Sequence, residues 1–293
     1  MKNVDKYSPS HDPDRAPDPV RQGDLQRIKI RSIITSRSNW RDTCETRIHR
    51  INTAPNIVMK KLLPILVLLC LLLVQQAPAA PPKGEYVLLV GGPSLMIWEK
   101  YKGEAAHDHW WANFVRAARI RTEQIRTQAG PDARITWLVY GPGYKDRARQ
   151  EKQDLFGFIG SVRDKFNLKL IYFSKGDEVI NYLNGGEPRD SLRIADFEFF
   201  GHSNAKCFMF DYSSNIESAC KSWLHEDELK KINGRVFARG AFVKSWGCHT
   251  GESMSKKWHA ATGVPMWGVI GKTQYMTDEL PVISGQNARW VTR

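Results

Sequence analysis

The chain has 293 residues, which is enough for one large domain or two small ones, and its formal net charge at pH 7 is +12. Residues 81–293 hold only part of that excess, with 30 Lys and Arg against 24 Asp and Glu interspersed along the chain. Because nucleic-acid binding depends on clustered basic residues, the composition argues against a nucleic-acid partner.

Residues 59–80 have the pattern of a secretory signal peptide. They begin with Met-Lys-Lys, continue with a 13-residue apolar run over residues 62–74, and end in an Ala-x-Ala site at Ala79. This order of charged, apolar and small residues predicts export, with cleavage after Ala79. A spanning helix needs about 20 apolar residues, so we expect no stable membrane span after cleavage.

Residues 1–58, upstream of this segment, are rich in Arg, Asp, Pro and Ser and poor in apolar runs, which predicts disorder. One interpretation is that translation starts at Met59 and that the extension is a mis-assigned start; the protein would then be secreted or periplasmic. In the other, residues 1–58 form a basic cytosolic tail and residues 62–74 anchor the chain in a membrane, since positive residues stay inside. We favour the first because Met-Lys-Lys is typical of a signal start.

Downstream, residues 83–293 have the pattern of one α/β domain. Six apolar runs predict strands, at Tyr86–Val90, Ile135–Tyr140, Leu168–Phe173, Ile194–Phe200, Ala241–Trp246 and Val264–Ile270. A hairpin arm is expected over residues 206–212, and a turn-rich tail over residues 271–293 is expected to wrap the site. Strands separated by helical patterns favour a parallel sheet. We therefore expect a three-layer sandwich with a mainly parallel six-stranded sheet flanked by helices.

Helical patterns separate the predicted strands. The longest has an apolar stripe whose members are four, three and seven positions apart: Trp111, Val115, Ala118 and Ile125. We expect Asp108 to cap this helix and Thr250 to cap another that follows Cys248. Shorter helices are predicted over Gly176–Leu183 and His225–Ile232. The Gly-Gly-Pro after the first strand lacks both the G-x-G-x-x-G fingerprint and a Walker lysine, so no nucleotide cofactor is predicted.

Two predicted strands end beside residues suited to nucleophilic catalysis, His202 after the fourth and Cys248 after the fifth. Reactive groups in open α/β sheets gather beyond the carboxyl ends of the strands. On neighbouring parallel strands, the two side chains would emerge at one edge. A thiolate stabilised by an imidazole and by a following helix is a nucleophile for acyl groups. The backbone N–H groups of Ser203 and Cys248 are the natural oxyanion donors.

Three cysteines remain after signal cleavage. A disulfide between Cys207 and Cys220 would close a short loop and leave Cys248 as an odd thiol, whereas the alternative is that all three stay reduced. Further candidates for substrate contacts are His107 in the loop after the first strand and the acidic pair of the tail, Asp278 and Glu279. His107 and His109, the two histidines of this loop, lack a third ligand with suitable spacing, so no metal is predicted.

A histidine after one strand and a cysteine after another, 46 residues apart, resemble the caspase-hemoglobinase fold of clan CD cysteine peptidases. This group includes caspases, legumains, gingipains and the CHAT domains. The resemblance covers residues 85–270 and is sharpest over residues 199–252. Cys248-His249-Thr250-Gly251 is similar to the C-x-T-G of CHAT domains, and legumains similarly have a hairpin and a short acidic helix between the two positions. The resemblance implies a cysteine endopeptidase that cleaves a peptide or protein substrate through an acyl-enzyme.

The sequence departs from these families at two positions. Ser203 stands where they usually have glycine after the histidine, and Gly247 replaces the alanine usual before the cysteine. A second hypothesis is therefore a non-catalytic caspase-like module that uses the same cleft to bind peptide or envelope components. The residue at which a substrate would be cut, any proteolytic maturation and the oligomeric state stay open.

Overall fold

In a computed structural model of the chain, the described residues are 83–94, 110–211, 221–275 and 278–293. The predicted signal segment and the extension before it lie outside these ranges, as do His107 and Cys220. Within the described ranges, no helix combines the length and the apolar character that crossing a membrane requires.

One large sheet dominates the fold. Its strands are β1 (Glu85–Val90), β2 (Arg134–Tyr140), β3 (Lys169–Phe173), β4 (Ile194–Phe200), β8 (Phe237–Ser245), β9 (Trp267–Gln274) and β10 (Val282–Thr292). They are arranged in the order β10-β9-β8-β4-β1-β2-β3. All neighbouring pairs are parallel except β10 with β9, which is antiparallel. The predicted α/β fold with a mainly parallel sheet is confirmed, with a seventh strand formed by part of the tail that was expected to wrap the site.

A second, three-stranded antiparallel sheet follows β4. It consists of β5 (His202–Ser203), β6 (Cys207–Met209) and β7 (Trp223–His225), in that order. The chain therefore leaves the large sheet at Phe200 and enters the small one only two residues later. This places His202 at the junction of the two sheets.

Helices cover both faces of the large sheet. They are α1 (Asn113–Ala129), α2 (Gly141–Glu151), α3 (Leu155–Phe166), α4 (Gly176–Gly185) and α5 (Met254–Thr262). Alternate side chains of β1 enter two separate cores, as expected for a strand that is buried on both sides. Leu89 belongs to the core that contains Trp258 of α5, and Leu88 to the core that contains Ala118 of α1. The three-layer arrangement follows from these two cores.

Three of the predicted helices differ from the observed ones in their start or in their type. Helix α1 begins at Asn113 with Ala112 as its N-cap residue, and the predicted cap, Asp108, lies outside the described residues. The segment Glu226–Lys231 is a 3-10 helix, capped by the His225 ring, which accepts a hydrogen bond from the Asp227 N–H. Its three leading carboxylates and two trailing lysines still match the helix dipole as predicted.

Helix α5 also begins later than predicted. Its N-cap residue is Ser253, and the hydroxyl of Thr250 instead donates to the Gly247 carbonyl oxygen at 3.3 Å. The chain after Cys248 first forms a wide turn, in which the N–H groups of His249 and Gly251 donate to the carbonyl oxygens of two residues of β9, Gly271 and Val269. These bonds postpone the helix by several residues. The sequence predicted that the N-terminus of this helix would be adjacent to Cys248. In the structure it is not, because α5 begins only at Met254.

Candidate active site

The two candidate catalytic residues lie beyond the ends of neighbouring parallel strands. In the register of β4 and β8, Phe199 is paired with Ser245. His202 and Cys248 each follow this pair by three residues, on their own strands. Both side chains are half-buried, so each keeps contact with solvent. The sequence predicted this adjacency from the strand ends alone.

The His202 ring is held by groups from three other elements. Its Nε2 atom lies 3.1 Å from the hydroxyl of Ser94, which is in the loop after β1. Phe114 of α1 packs edge-on against the imidazole, with ring centroids 4.9 Å apart and planes at 90°. The backbone of His202 is paired with Met209 of β6. These contacts fix the position of the ring while leaving part of it accessible.

Ser94 is itself firmly placed. It is completely buried, and its carbonyl oxygen accepts a hydrogen bond of 2.8 Å from the guanidinium of Arg147. Arg147 is also buried and forms an ion pair of 2.6 Å with Glu151 on the same helix, α2. Sequence reasoning missed Ser94. The available signal was its place beyond the end of β1, which neighbours β4 in the sheet.

The sulfur of Cys248 lies beside Thr273 of β9, which makes three contacts with it. The Thr273 N–H donates to the sulfur at 3.4 Å, and the hydroxyl and carbonyl oxygens of Thr273 lie 3.7 and 3.8 Å from it. In the described part of the chain, all hydrogen bonds of the sulfur go to this one residue and none to His202. Thr273 also anchors the end of β8, because its hydroxyl donates to the Trp246 carbonyl oxygen at 2.7 Å.

Tyr275 ties the ends of the two strands together. Its hydroxyl accepts a hydrogen bond of 3.2 Å from the Gly201 N–H and donates one of 3.0 Å to the Trp246 carbonyl oxygen. Its ring packs edge-on against Phe114, at 4.8 Å between centroids. Burial raises the pKa of Tyr275 well above its ordinary value, so it stays a neutral hydrogen-bonding group. Sequence reasoning did not identify this residue either.

Neither predicted oxyanion donor is used in a hydrogen bond to a described residue. Among the described residues, the N–H of Cys248 donates to no atom, whereas those of His249 and Gly251 do. Ser203 is opposite Phe208, and the next pair is joined by the hydrogen bond from the Asn204 N–H to the Cys207 carbonyl oxygen. Antiparallel strands alternate hydrogen-bonded and non-hydrogen-bonded pairs, so the Ser203 N–H points away from β6.

The side chain of Ser203 explains the second departure from the family pattern. Its hydroxyl donates to the Cys248 carbonyl oxygen at 2.6 Å and so joins the two strand ends directly. A Cβ atom added at Gly247 would lie only 2.1 Å from this hydroxyl. Alanine therefore does not fit at position 247 while serine is present at 203. A side chain at position 247 and the serine side chain at position 203 therefore compete for the same space.

The other predicted site residues have different surroundings. Asp278 and Glu279 are both exposed, and the Asp278 carboxylate, 95% exposed, lies 3.5 Å from the guanidinium of Arg116. Cys207 is half-buried in β6, but its predicted partner Cys220 lies outside the described residues. His107 also lies outside them. The described residues contain no group of three or more His, Cys, Asp or Glu side chains placed to hold a metal ion.

No protein-family model matches the chain, and a search of the curated proteins finds no match. The likeness to clan CD peptidases therefore depends on the residues of the sequence and on the order of its elements. What the site can do has to be argued from its own geometry. That geometry offers a thiol, an imidazole and two unused N–H donors at one edge of the sheet.

Proposed function

We propose that the protein is an exported cysteine endopeptidase that hydrolyses peptide bonds through an acyl-enzyme. One observation carries the proposal: His202 and Cys248 follow the same register position of two neighbouring parallel strands. The unused N–H of Cys248 and the outward N–H of Ser203 support it, because acyl transfer needs donors for a developing oxyanion. Export is inferred from the signal pattern of residues 59–80.

The first half of the reaction forms the acyl-enzyme. The Cys248 thiolate attacks the carbonyl carbon of the scissile peptide bond, and the carbonyl electrons move onto oxygen, where the two N–H groups stabilise the charge. When the tetrahedral intermediate collapses, the C–N bond breaks and protonated His202 donates its proton to the leaving amine. A thioester between Cys248 and the acyl part of the substrate remains.

The second half releases the acyl group. Neutral His202 accepts a proton from a water molecule as the water oxygen attacks the thioester carbon. The C–S bond then breaks, which leaves a carboxylic acid and the Cys248 thiolate. Hydrogen bonds of catalytic groups are often incomplete without substrate, so the sulfur's present contacts with Thr273 are compatible with this role.

Replacement of Cys248 by Ala tests the proposal. We expect Cys248→Ala to lower cleavage of a mixed peptide library by about a thousandfold or more, as loss of a nucleophile does in related mechanisms. Cys207→Ala is the matched control, because it removes the side chain of a second half-buried cysteine. Urea unfolding of both variants checks that the fold is retained. Cleavage by folded Cys248→Ala at the native rate would overturn the proposal.

The second candidate function is that of a non-catalytic module that binds peptide in the same cleft. The observation in its favour is that the hydrogen bonds of the Cys248 sulfur go to Thr273. The rate of alkylation by iodoacetamide near neutral pH separates the two functions. An activated Cys248 reacts faster than a model thiol and slows when His202 is replaced by Ala. Peptide binding without cleavage, together with a slow thiol, would favour the binding module.

A further inference from the structure

A separate cavity of about 370 Å³ lies between α1 and the strands β4 and β8. Neither Cys248 nor His202 lines it. Its volume is within the range of sites for small organic molecules, roughly 300 to 1,000 Å³. Apolar surface comes from Tyr86, Phe242 and Leu280, and acidic groups come from Asp196 and Glu198 of β4.

The two carboxylates of this cavity are almost fully buried, with Asp196 3% and Glu198 0% exposed. Three of their four oxygens accept hydrogen bonds. The guanidinium of Arg121 donates to Asp196 Oδ2 at 2.9 Å and to Glu198 Oε1, and the indole of Trp246 donates to Glu198 Oε2 at 2.6 Å. The fourth oxygen, Asp196 Oδ1, accepts no hydrogen bond from any described residue.

The neighbouring cations do not supply the missing donor. Arg121 is already shared between the two carboxylates. Lys244 of β8, which follows Phe242 along the strand, has its amine over the rings of Trp246 and Trp290, at 3.5 and 4.0 Å from their centroids. A buried acceptor without a donor is costly, so the arrangement favours any group that can provide one.

We propose that this cavity binds a small organic cation, an alkylammonium or alkylguanidinium group, whose N–H donates to Asp196 Oδ1. The alkyl stem packs against the apolar walls of the cavity, in particular Phe242 and Leu280. The charged end reaches the pair of carboxylates, where charge-assisted hydrogen bonds are strongest. The site is independent of the peptidase function proposed above.

A proton competes with the cation for Asp196. Burial, and next the charge of Glu198, raise the pKa of Asp196 well above its usual value. The other titratable groups around the two carboxyls are Tyr86 of β1, Arg121 of α1 and Lys244 of β8, of which Lys244 acts on Glu198. Binding of the cation to ionised Asp196 is therefore expected to strengthen as the pH rises through this raised pKa.

Isothermal titration calorimetry of the full chain with n-butylammonium and n-butylguanidinium tests the proposal. Titrations between about pH 6 and pH 8, in two buffers of different ionisation enthalpy, give the affinity and the number of protons released. We expect saturable binding at one site, with an affinity that rises and a proton release that falls as the pH is raised. n-Butanol, whose hydroxyl can donate a hydrogen bond but carries no charge, is expected to bind much more weakly, and butyrate, which carries the opposite charge, is expected not to bind.

Asp196→Asn is expected to lower the affinity at least tenfold and to remove its pH dependence. Asp177→Asn is the matched control, since Asp177 lies outside the lining of the cavity and forms an exposed ion pair with Lys231. If Asp196→Asn does not fold, Ala129→Leu at the half-exposed mouth narrows the cavity without touching the carboxylates and also weakens binding. Equal binding of butanol, binding unaffected by Asp196→Asn or Ala129→Leu, or no saturable binding would overturn the proposal.

Discussion

The two ends of the large sheet both carry clusters of polar side chains, but they use them differently. At the amino-terminal end, the Glu85 carboxylate is 1% exposed and accepts hydrogen bonds from Thr136, Tyr182 and Arg189, each at 2.5 Å. Arg189 in turn donates to the carbonyl oxygens of Leu183, Leu192 and Tyr182. Every member of this cluster finds partners within the protein.

The carboxyl-terminal end leaves several of its polar groups accessible. His202 and Cys248 are only half-buried, and the N–H of Cys248 donates to no described residue. Buried polar groups that are fully paired make a structure rigid and specific. A donor that stays unpaired beside a nucleophile makes the folded state less stable, but it remains able to donate a hydrogen bond to a substrate. Both ends of the sheet are polar, so polarity alone does not distinguish them. What distinguishes the candidate active site from the Glu85 cluster is that its polar groups are not all hydrogen-bonded within the described residues.

The largest expected effect is a loss of stability caused by a substitution in the Glu85 cluster, at the amino-terminal end of the sheet. Arg189→Met leaves the Glu85 carboxylate buried without its cation, and removal of one partner of a buried pair costs about 3–5 kcal/mol. Urea unfolding measures this loss. Peptide cleavage per folded molecule is expected to stay at the native level, since the cluster lies at the opposite end of the sheet from the site.

The control for this prediction is Arg149→Met. Arg149 and Asp146 form an exposed ion pair on α2, with a distance of 2.9 Å. Exposed pairs contribute roughly 0–1 kcal/mol, so this variant should unfold close to the native midpoint. Equal destabilisation by the two substitutions would contradict a special structural role for the Glu85 cluster.

The next effect concerns activity at the carboxyl-terminal end. Ser94→Ala removes the hydroxyl beside His202 Nε2, and we expect kcat to fall by about 10- to 100-fold with little change in KM, because the imidazole is less well oriented. Ser191→Ala, which removes an exposed hydroxyl bound to the Pro188 carbonyl oxygen, is the control. An unchanged kcat for Ser94→Ala would show that the hydroxyl does not orient His202.

Much of the fold was predictable because the central strands are buried on both faces. The runs that form β1, β2 and β4, apolar except for Thr136, Asp196 and Glu198, gave bounds within one residue of the observed ones. The start of β8 was placed at Ala241 instead of Phe237, because Arg239 and Gly240 interrupt the apolar pattern. β10 was missed because most of its side chains are exposed, and only its pairing with β9 makes it a strand.

The candidate site was predictable only as far as the strand ends define it. His202 and Cys248 follow apolar runs in the sequence, and the parallel arrangement of those runs brings them together. Ser94 lies 108 positions from its partner His202, and Tyr275 lies 74 positions from Gly201. No local pattern encodes such distant contacts. They depend on the loop after β1 and on β9, whose positions only the folded chain reveals.

A double substitution sharpens the comparison at the carboxyl-terminal end. Gly247→Ala is expected to destabilise the native protein by about 1–3 kcal/mol, because the new Cβ would collide with the Ser203 hydroxyl. Ser203→Gly removes that collision. In the Ser203→Gly background, Gly247→Ala should therefore cost clearly less, and a double-mutant cycle by urea unfolding measures the coupling. Additive effects would contradict the compensation between the two positions.

The smallest expected effect is at Lys244, the second-last residue of β8. Burial lowers the pKa of its amine to about 8, against about 10.4 in an unfolded chain. Between these values the unfolded chain binds more protons than the folded one, so the contribution of Lys244 to stability rises with pH in this window. Since the amine stays partly exposed, we expect a change on the order of 1 kcal/mol.

Comparison with Lys244→Met isolates this contribution. Tyrosines with raised pKa values, such as Tyr144 and Tyr182, also titrate in alkaline solution, but they are present in both proteins and cancel in the difference. Urea unfolding of the two proteins from about pH 7 to pH 10 should show the native chain gaining stability relative to the variant as the pH rises. A constant difference would mean that Lys244 is as well solvated in the folded state as in the unfolded one. In that case the position of the Lys244 amine over the two indole rings would carry no desolvation penalty. The contrast between paired and unpaired polar groups would then depend only on the Glu85 cluster and the candidate active site.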